Sequence, residues 1–475
     1  MKKYKNIAFA SLLMLLVWSC SDNDFLNVDS RERIEAQDSE ENYTPEQFLT
    51  GVYGMFTDWD YAFSFLAVTE IISDNADKGS SPGDTGADKN LFDELTFTST
   101  APSLRDMWRR WYKTIGRATQ SIEYTENYGL TDETYKNRLI GEAKFLRAIC
   151  YFWLVRGWGD VPLQHISADT RAPKEEVYAF IEQDLKDAMA VLPNSYSESD
   201  LGRATKGAAQ GLLSKVYLYE KKWQDAYDAA NEVITSPAYG YELLDDYSMI
   251  WRVEGENSSE SLFEIQARGD SPAHGIQQYS QTQGARGTTG WGWGFNTPSE
   301  NLLKAFNDEG DVIRRDATIM FRNTTLYDGY ELGNTENPMY NYKAYSSKNK
   351  GASDGDKNLR YLRLGEIYLI KAEAANELGQ TTQALGALNE VRRRVHLPDV
   401  TTTDKDELRK AIWKERRLEL AFEHDRWFDL IRTGQAKDAM TANGKKFVVG
   451  KHELFPIPDQ QRIDTPDMTQ NPGWN

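Results

Sequence analysis

The chain has 475 residues, with 73 acidic against 55 basic side chains, a formal charge of −18 and only two cysteines. At about 100–200 residues per domain this length allows two or three domains or one large one, and an apolar fraction of 40% with a mean hydropathy of −0.64 excludes a polytopic membrane protein. An acidic chain without a basic tract is poorly suited to nucleic acid, whose phosphates need clustered Lys and Arg, and two cysteines build neither a disulfide framework nor a four-thiolate zinc site.

The N-terminus reads as an address. Lys2, Lys3 and Lys5 precede an apolar run from Ile7 to Trp18. Twelve residues rise only about 18 Å as a helix, short of the ~30 Å hydrocarbon core, so residues 1–19 are expected to be a secretory leader and not a transmembrane helix. Val17-Trp18-Ser19-Cys20 resembles a lipoprotein lipobox, with Trp18 bulkier than usual there. Cys20 is then the lipidation site and the anchor to the membrane, and residues 20–43 are a polar tether. Loss of Lys2, Lys3 and Lys5 without any acid takes the charge by three from −18 to −21. Cys150 is left alone in an apolar helical segment, as a buried inert thiol. Ser21-Asp22-Asn23-Asp24 resembles the acidic export signal of surface lipoproteins.

Helices follow, in pairs. Thr44-Pro45-Glu46-Gln47 is a helix start, with Thr as N-cap, Pro at the first helical position and Gln three residues after the cap. That helix is expected to end near Asp58, and residues 73–90, rich in Ser, Gly, Asp and Pro, read as a loop. Helical spacing then covers 104–124, 139–155 and 174–191. Residues 205–235 read as helix, turn at Lys221-Lys222, helix. Residues 361–395 repeat that pattern around Gly379-Gln380, with small residues such as Ala226, Ala375 and Ala384 where helices approach. Both resemble tetratricopeptide units, whose period is about 34 residues. A last pair is expected over 404–433. The scaffold thus spans about 104–240 and 358–435, interrupted by an aromatic-rich excursion over about 241–357 with a weak strand signal at 261–266. An excursion of that length without helical period is the natural place for a binding surface.

Four blocks stand out: Gly141–Ala148 continued through Tyr151–Arg156 and Gly159–Leu163; Arg363–Ala374; Glu415–Glu423 with Arg426–Leu430 and Arg432-Thr433-Gly434; and Leu454–Pro458 with Gln470–Trp474. Together they resemble the SusD/RagB family of nutrient-binding outer-membrane lipoproteins. The resemblance covers the whole mature chain and implies a mostly α-helical, SusD-like fold over 44–475, one domain with tetratricopeptide-like helix pairs on one side and a loop-rich ligand-binding half. It also implies a SusC-like TonB-dependent transporter as partner, an oligosaccharide as ligand, a cell-surface position on the outer membrane, and capture without chemistry or cofactor. A peptide ligand, a cryptic glycoside hydrolase and a purely structural role are the alternatives. In the third block Glu415, Arg416, Glu419 and Glu423 suggest a packed polar junction, with Arg426 and Arg432 as candidate partners. The fourth block is Pro-locked and is expected to pack back over the helices.

Enzyme motifs do not assemble. Gly79-Ser80-Ser81-Pro82-Gly83 fits a nucleophile-elbow spelling, but Pro82 sits inside a polar stretch. Asp354, Asp356 and Asn358 imitate a calcium loop, yet Leu359 replaces its glycine and Gly365 its glutamate, which excludes an EF-hand and leaves only a looser ion site as an alternative to no metal. The five histidines, His165, His274, His396, His424 and His452, are widely separated.

A sugar offers an apolar C–H face and a rim of hydroxyls, which call for a flat aromatic ring beside Asp, Asn or Arg. Two clusters have that composition. One is Trp59, Tyr61, Phe63 and Phe65, followed by Asp74, Asn75 and Asp77; its alternation suggests a short extended segment, with Phe63 and Phe65 going to the core and Trp59 exposed between Asp58 and Asp60. The other is Gly290-Trp291-Gly292-Trp293-Gly294-Phe295, whose indoles share a side if the segment is extended. Tyr279, Tyr330 and Tyr340 of the same excursion, and Arg363 at the head of the second block, complete the candidate carbohydrate-binding set.

Overall fold

The structure, a computed structural model, describes residues 43–84, 86–163, 169–269, 278–346 and 355–474. The leader, Cys20, the tether, His165, His274 and Asp354 lie outside the described residues. Helix α1 (Pro45–Gly54) begins as its sequence demands: the Thr44 hydroxyl accepts the Gln47 N–H at 3.2 Å and the Thr44 N–H donates to the Gln47 side chain at 2.9 Å, a reciprocal cap that satisfies two orphan donors.

The scaffold is built from α2 (Pro102–Asn127), α3 (Glu133–Trp158), α4 (Lys174–Val191), α5 (Lys206–Glu220) and α6 (Trp223–Thr235), then α7 (Leu364–Glu377), α8 (Thr381–Arg394), α9 (Lys405–Glu419) and α10 (Arg426–Arg432). From α2 to α6 each helix packs on the next, and α6 packs directly on α7 although the excursion separates them in sequence. Ala226 and Ala230 on α6 and Ala372 and Ala375 on α7 are buried, and such small side chains let helix axes approach. The tetratricopeptide-like pairs are therefore stacked as their sequences suggest. Asp132 caps α3 by accepting the Thr134 and Tyr135 N–H groups at 3.0 and 3.1 Å. Between α2 and α3 the core is aromatic: Trp111 and Trp153 lie parallel at 5.9 Å, and Trp158 meets Trp111 and Trp108 edge-on. Cys150 is buried there, and burial raises its thiol far above the usual range, which makes it inert.

The C-terminal block packs back as expected. The Phe455 N–H donates to Gly157 O, the Trp158 indole donates to Pro456 O, and Asn471 Nδ2 donates to both Trp158 O and Phe455 O.

The excursion is more ordered than its sequence suggests. It contains helices Glu300–Glu309, capped by Ser299, and Val312–Thr318, and it pairs into antiparallel ribbons. With β1 (Ala76–Gly79), β2 (Ser261–Ile265), β3 (Phe295–Pro298), β4 (Ile319–Phe321), β5 (Thr324–Thr325), β6 (Glu331–Leu332), β7 (Met339–Asn341) and β8 (Leu359–Arg363), the pairs are β1–β3, β2–β8, β4–β7 and β5–β6. Residues 73–90, expected as a loop, in fact contain β1 and the start of a helix over Ala87–Asp93. The expected extended segment at 59–65 is instead helical, running through Trp59–Ala62 and Ser64–Leu66 into a π-helical turn at Ala67–Ile71.

Candidate functional site

The β1–β3 ribbon pairs Asp77 with Thr297 and Gly79 with Phe295, and the short helix Tyr279–Gln283, to whose end the Gly-Trp ribbon is tied, packs on the helical segment that begins at Trp59. On that helix, residues four apart share a face. Tyr61 and Phe65 pair at 5.2 Å inside, whereas Trp59 and Phe63 pair at 5.5 Å on a half-buried face. The Trp293 indole meets Trp59 at 5.7 Å with planes 61° apart and Phe63 at 6.5 Å with planes at 88°. Lys89, itself buried, places its ammonium 3.7 Å from the Phe63 ring centroid, a cation–π contact that backs the ring from within.

Polar groups flank these rings. The Arg110 guanidinium holds Asp58 at 2.6 Å and Asp60 at 2.9 Å. Burial lifts the Asp60 carboxyl above its usual value against the pull of Arg110. Half-buried aromatic rings beside carboxylates and a guanidinium can hold a molecule that is apolar on its faces and hydroxylated on its rim.

The glycines of the Gly-Trp ribbon act through close approach. The Trp291 and Gly292 N–H groups donate to Ala285 O, Trp293 N–H to Gln281 O and Gly294 N–H to Gly284 O. A Cβ on Gly292 would lie 2.4 Å from Gln281 O and 2.5 Å from Gly284 Cα, and one on Gly290 would lie 2.2 Å from Ala285 O. The ribbon is thus pinned to the turn at 281–285, and its indoles diverge. Trp293 goes to Trp59 and Phe63. Trp291 goes to Tyr330, edge-on at 5.5 Å, and to Tyr345 at 5.0 Å. The shared side expected for an extended segment is not observed.

Four expected ligand contacts lie in the interior instead. Asp74 receives Arg426 at 2.7 and 2.8 Å and Arg417 at 3.2 Å; burial opposes its charge, but the two guanidinium groups hold the carboxyl far below the usual range. Asn75 accepts from Arg417 Nε at 2.8 Å and is fully buried. The Tyr279 hydroxyl is bonded to His424 Nε2 at 2.9 Å. Arg363, 1% exposed, is spent on Glu260, Glu419 and Glu423 at 2.5–2.9 Å. Tyr340 is also buried, its hydroxyl donating to Arg286 O. Trp59, Trp291, Trp293 and Tyr330 remain half-buried.

The polar junction of the third block is real but differently partnered. Glu419 receives Arg314, Arg363 and Arg394, Glu415 receives Arg314 and Arg392, and Glu423 receives Arg363 and Lys343. Arg426 serves Asp74, and Arg432 serves Glu373 and Asp429. Ser81 sits in a turn tied by Asp84 and Lys78, while His424 and His452 are engaged elsewhere. Asn358 is committed to Ala267, Glu264 and Gln266. Among the described residues no group of three or more His, Cys, Asp and Glu is placed to hold a metal, and no helix is long and apolar enough to cross a membrane.

Stacked helix pairs carrying a pinned aromatic ribbon define a protein that presents rings on a rigid scaffold. A model of the SusD family matches residues 259–474, and a second, described as starch-binding and associating with the outer membrane, matches residues 24–218. The SusD-like protein P2 of Formosa agariphila is 28% identical over the full length of both chains. Among solved structures, a laminarin binding SusD-like protein is 29% identical with a TM-score of 0.78, over 90% of this chain and 98% of that one. A SusD homolog from Bacteroides thetaiotaomicron is 25% identical with a TM-score of 0.78, over 93% of this chain and all of that one. The chain belongs to the SusD/RagB family, a family of carbohydrate-binding proteins associated with the outer membrane.

Proposed function

We propose that this protein captures oligosaccharides at the cell surface and delivers them to a SusC-like TonB-dependent transporter. One observation carries the reading: two segments far apart in sequence bring Trp59, Phe63 and Trp293 together as half-buried rings flanked by Asp58, Asp60 and Arg110. Flat faces for C–H contact and adjacent hydrogen-bonding groups are the two requirements of sugar recognition. In this reading residues 1–19 are the leader, Cys20 the lipid anchor, 20–43 the tether and 44–475 a single binding domain. The carboxylates beside the rings are paired to Arg110, which suits binding to hydroxyls and not proton transfer.

Titration calorimetry of the purified chain against laminarin, starch and a peptide digest tests this. Saturable heat with a glycan, lost in Trp293→Ala, is the expected result. Binding of peptide alone would redirect the reading to an oligopeptide ligand, and release of reducing ends during incubation would redirect it to hydrolysis. Cys20→Ser is expected to move the protein from the membrane to the soluble fraction, and co-purification with a β-barrel transporter from the native membrane tests the partner.

A further inference from the structure

The divergence of the two indoles gives Trp291 a ring cluster of its own. Beyond Trp291 the rings continue: Tyr330 and Tyr345 touch Trp291, and Tyr345 meets Tyr327 at 5.5 Å, nearly perpendicular. Tyr327 sits on the tight turn between β5 and β6, closed by Leu326 N–H to Tyr330 O and Gly329 N–H to Leu326 O, both 2.9 Å, with Gly329 at a φ of +80°. It is 40% exposed, a high value for a tyrosine so firmly held. Its backbone N–H donates to the Tyr342 hydroxyl at 2.9 Å, and the buried Arg252 guanidinium lies 3.6 Å from its ring centroid. One ring face is therefore covered and locked, and the other is presented. Along the same hairpin runs a groove of about 570 Å³ with an apolar floor that includes Ile319 and Phe321 and a polar rim of Thr324, Thr325 and Asp316, the last paired with Arg315.

We propose that Tyr327, with Tyr330 and Trp291, forms a second sugar-binding platform, joined through the Gly290–Gly294 ribbon to the Trp59–Phe63–Trp293 platform, so that one long oligosaccharide engages both. The proposal rests on the glycan-capture reading above. Two weak platforms on one rigid body reward a ligand that reaches both, because the second contact is intramolecular. Short oligosaccharides occupy one platform only. Rigid rings also lose little conformational freedom on binding.

The test is a chain-length series of laminari- and malto-oligosaccharides, from trimer to heptamer, titrated against the wild type, Tyr327→Ala, Tyr327→Phe and Trp293→Ala, with far-UV circular dichroism confirming the fold of each. In the series that binds, wild-type affinity is expected to rise about tenfold or more with length. Tyr327→Ala is expected to abolish that gain while leaving the trimer within about twofold, Tyr327→Phe to retain it, and Trp293→Ala to weaken every length. Unchanged heptamer affinity in Tyr327→Ala, or equal weakening at all lengths, overturns the second platform and leaves the first standing. A wild type that binds no member of either series overturns both readings.

Discussion

The indole of Trp293 meets that of Trp59 at 5.7 Å with their planes 61° apart, although one residue lies near the start of the chain and the other past its midpoint. The contact is made by the helix Tyr279–Gln283, which packs on Trp59–Ala62 while Gln281 O accepts the Trp293 N–H. In the proposed reading the two rings share one ligand surface, and their contributions to binding are expected to be coupled. Trp293→Ala and Trp59→Ala should each weaken glycan binding about tenfold to a hundredfold, as truncation of a central aromatic anchor does. The double variant should lose less than the product of the two, because each ring orients the other. A calorimetric double-mutant cycle with zero coupling would show that the rings act on separate ligands.

Gly292 supports the same pair of rings through its backbone. A methyl group there meets Gln281 O at 2.4 Å and Gly284 Cα at 2.5 Å, both backbone, so the ribbon must lift and break its bonds to Ala285 and Gln281. Gly292→Ala is expected to reduce glycan affinity at least as much as Trp293→Ala while helix content in far-UV circular dichroism stays unchanged. Wild-type affinity in that variant would show that the ribbon's position is irrelevant to binding.

Much of the scaffold was legible because its signals are local. The Thr44–Gln47 cap, the α5–α6 turn at Lys221 and the α7–α8 turn at Gly379 are each written in a few consecutive residues. The aromatics at 59, 61, 63 and 65 were ambiguous for a physical reason: four rings at alternate positions satisfy both the two-residue period of a strand and the i, i+4 pairing of a helix. The helix won, and it sorted Tyr61 and Phe65 inward and Trp59 and Phe63 outward. The interior places of Asp74, Asn75 and Arg363 are decided by partners more than fifty residues away, Arg426, Arg417, Glu419 and Glu423, which no local pattern reveals, although a structural ion pair is the reading the sequence favours for Arg363. The divergence of Trp291 and Trp293 has the same origin, since it depends on the turn at 281–285.

Arg363 is expected to matter for folding and not for ligand. Its removal leaves Glu260 and Glu423 each with one fewer cation and Glu419 with only Arg314 and Arg394. Breaking a buried pair by deleting one partner costs about 3–5 kcal/mol, so Arg363→Ala should show a large drop in thermal midpoint or fail to accumulate. Arg363→Lys should recover part of the loss, since lysine restores charge but not the forked geometry. A folded Arg363→Ala protein with wild-type stability and no glycan binding would return Arg363 to the ligand surface.

Glu70 provides a pH signature of the same interior. It lies on the π-helical turn, fully buried, and its Oε1 accepts the His424 N–H. Burial pushes its carboxyl up to about 8, against the pull of that N–H, whereas an unfolded glutamate titrates near 4.3. The folded state therefore holds the proton more tightly. The stability this contributes is fully present below about pH 4.3 and is lost as pH rises through about 8. Asp74 and Glu419 run the other way: their depressed values make their contribution complete above the unfolded carboxylate pKa and lose it in acid. Stability is expected to fall on both sides, and Glu70 shares the alkaline arm with Glu220 and Asp77, whose carboxyls burial raises to about 7 and about 6. Glu70→Gln imitates the protonated form, keeping the oxygen that accepts the His424 N–H. It should leave the thermal midpoint near its wild-type value at about pH 4 and raise it progressively up to pH 8, by an amount equivalent to a few kcal/mol. Midpoints for the two proteins measured across that range that stay parallel would show that Glu70 is ionised in the folded protein.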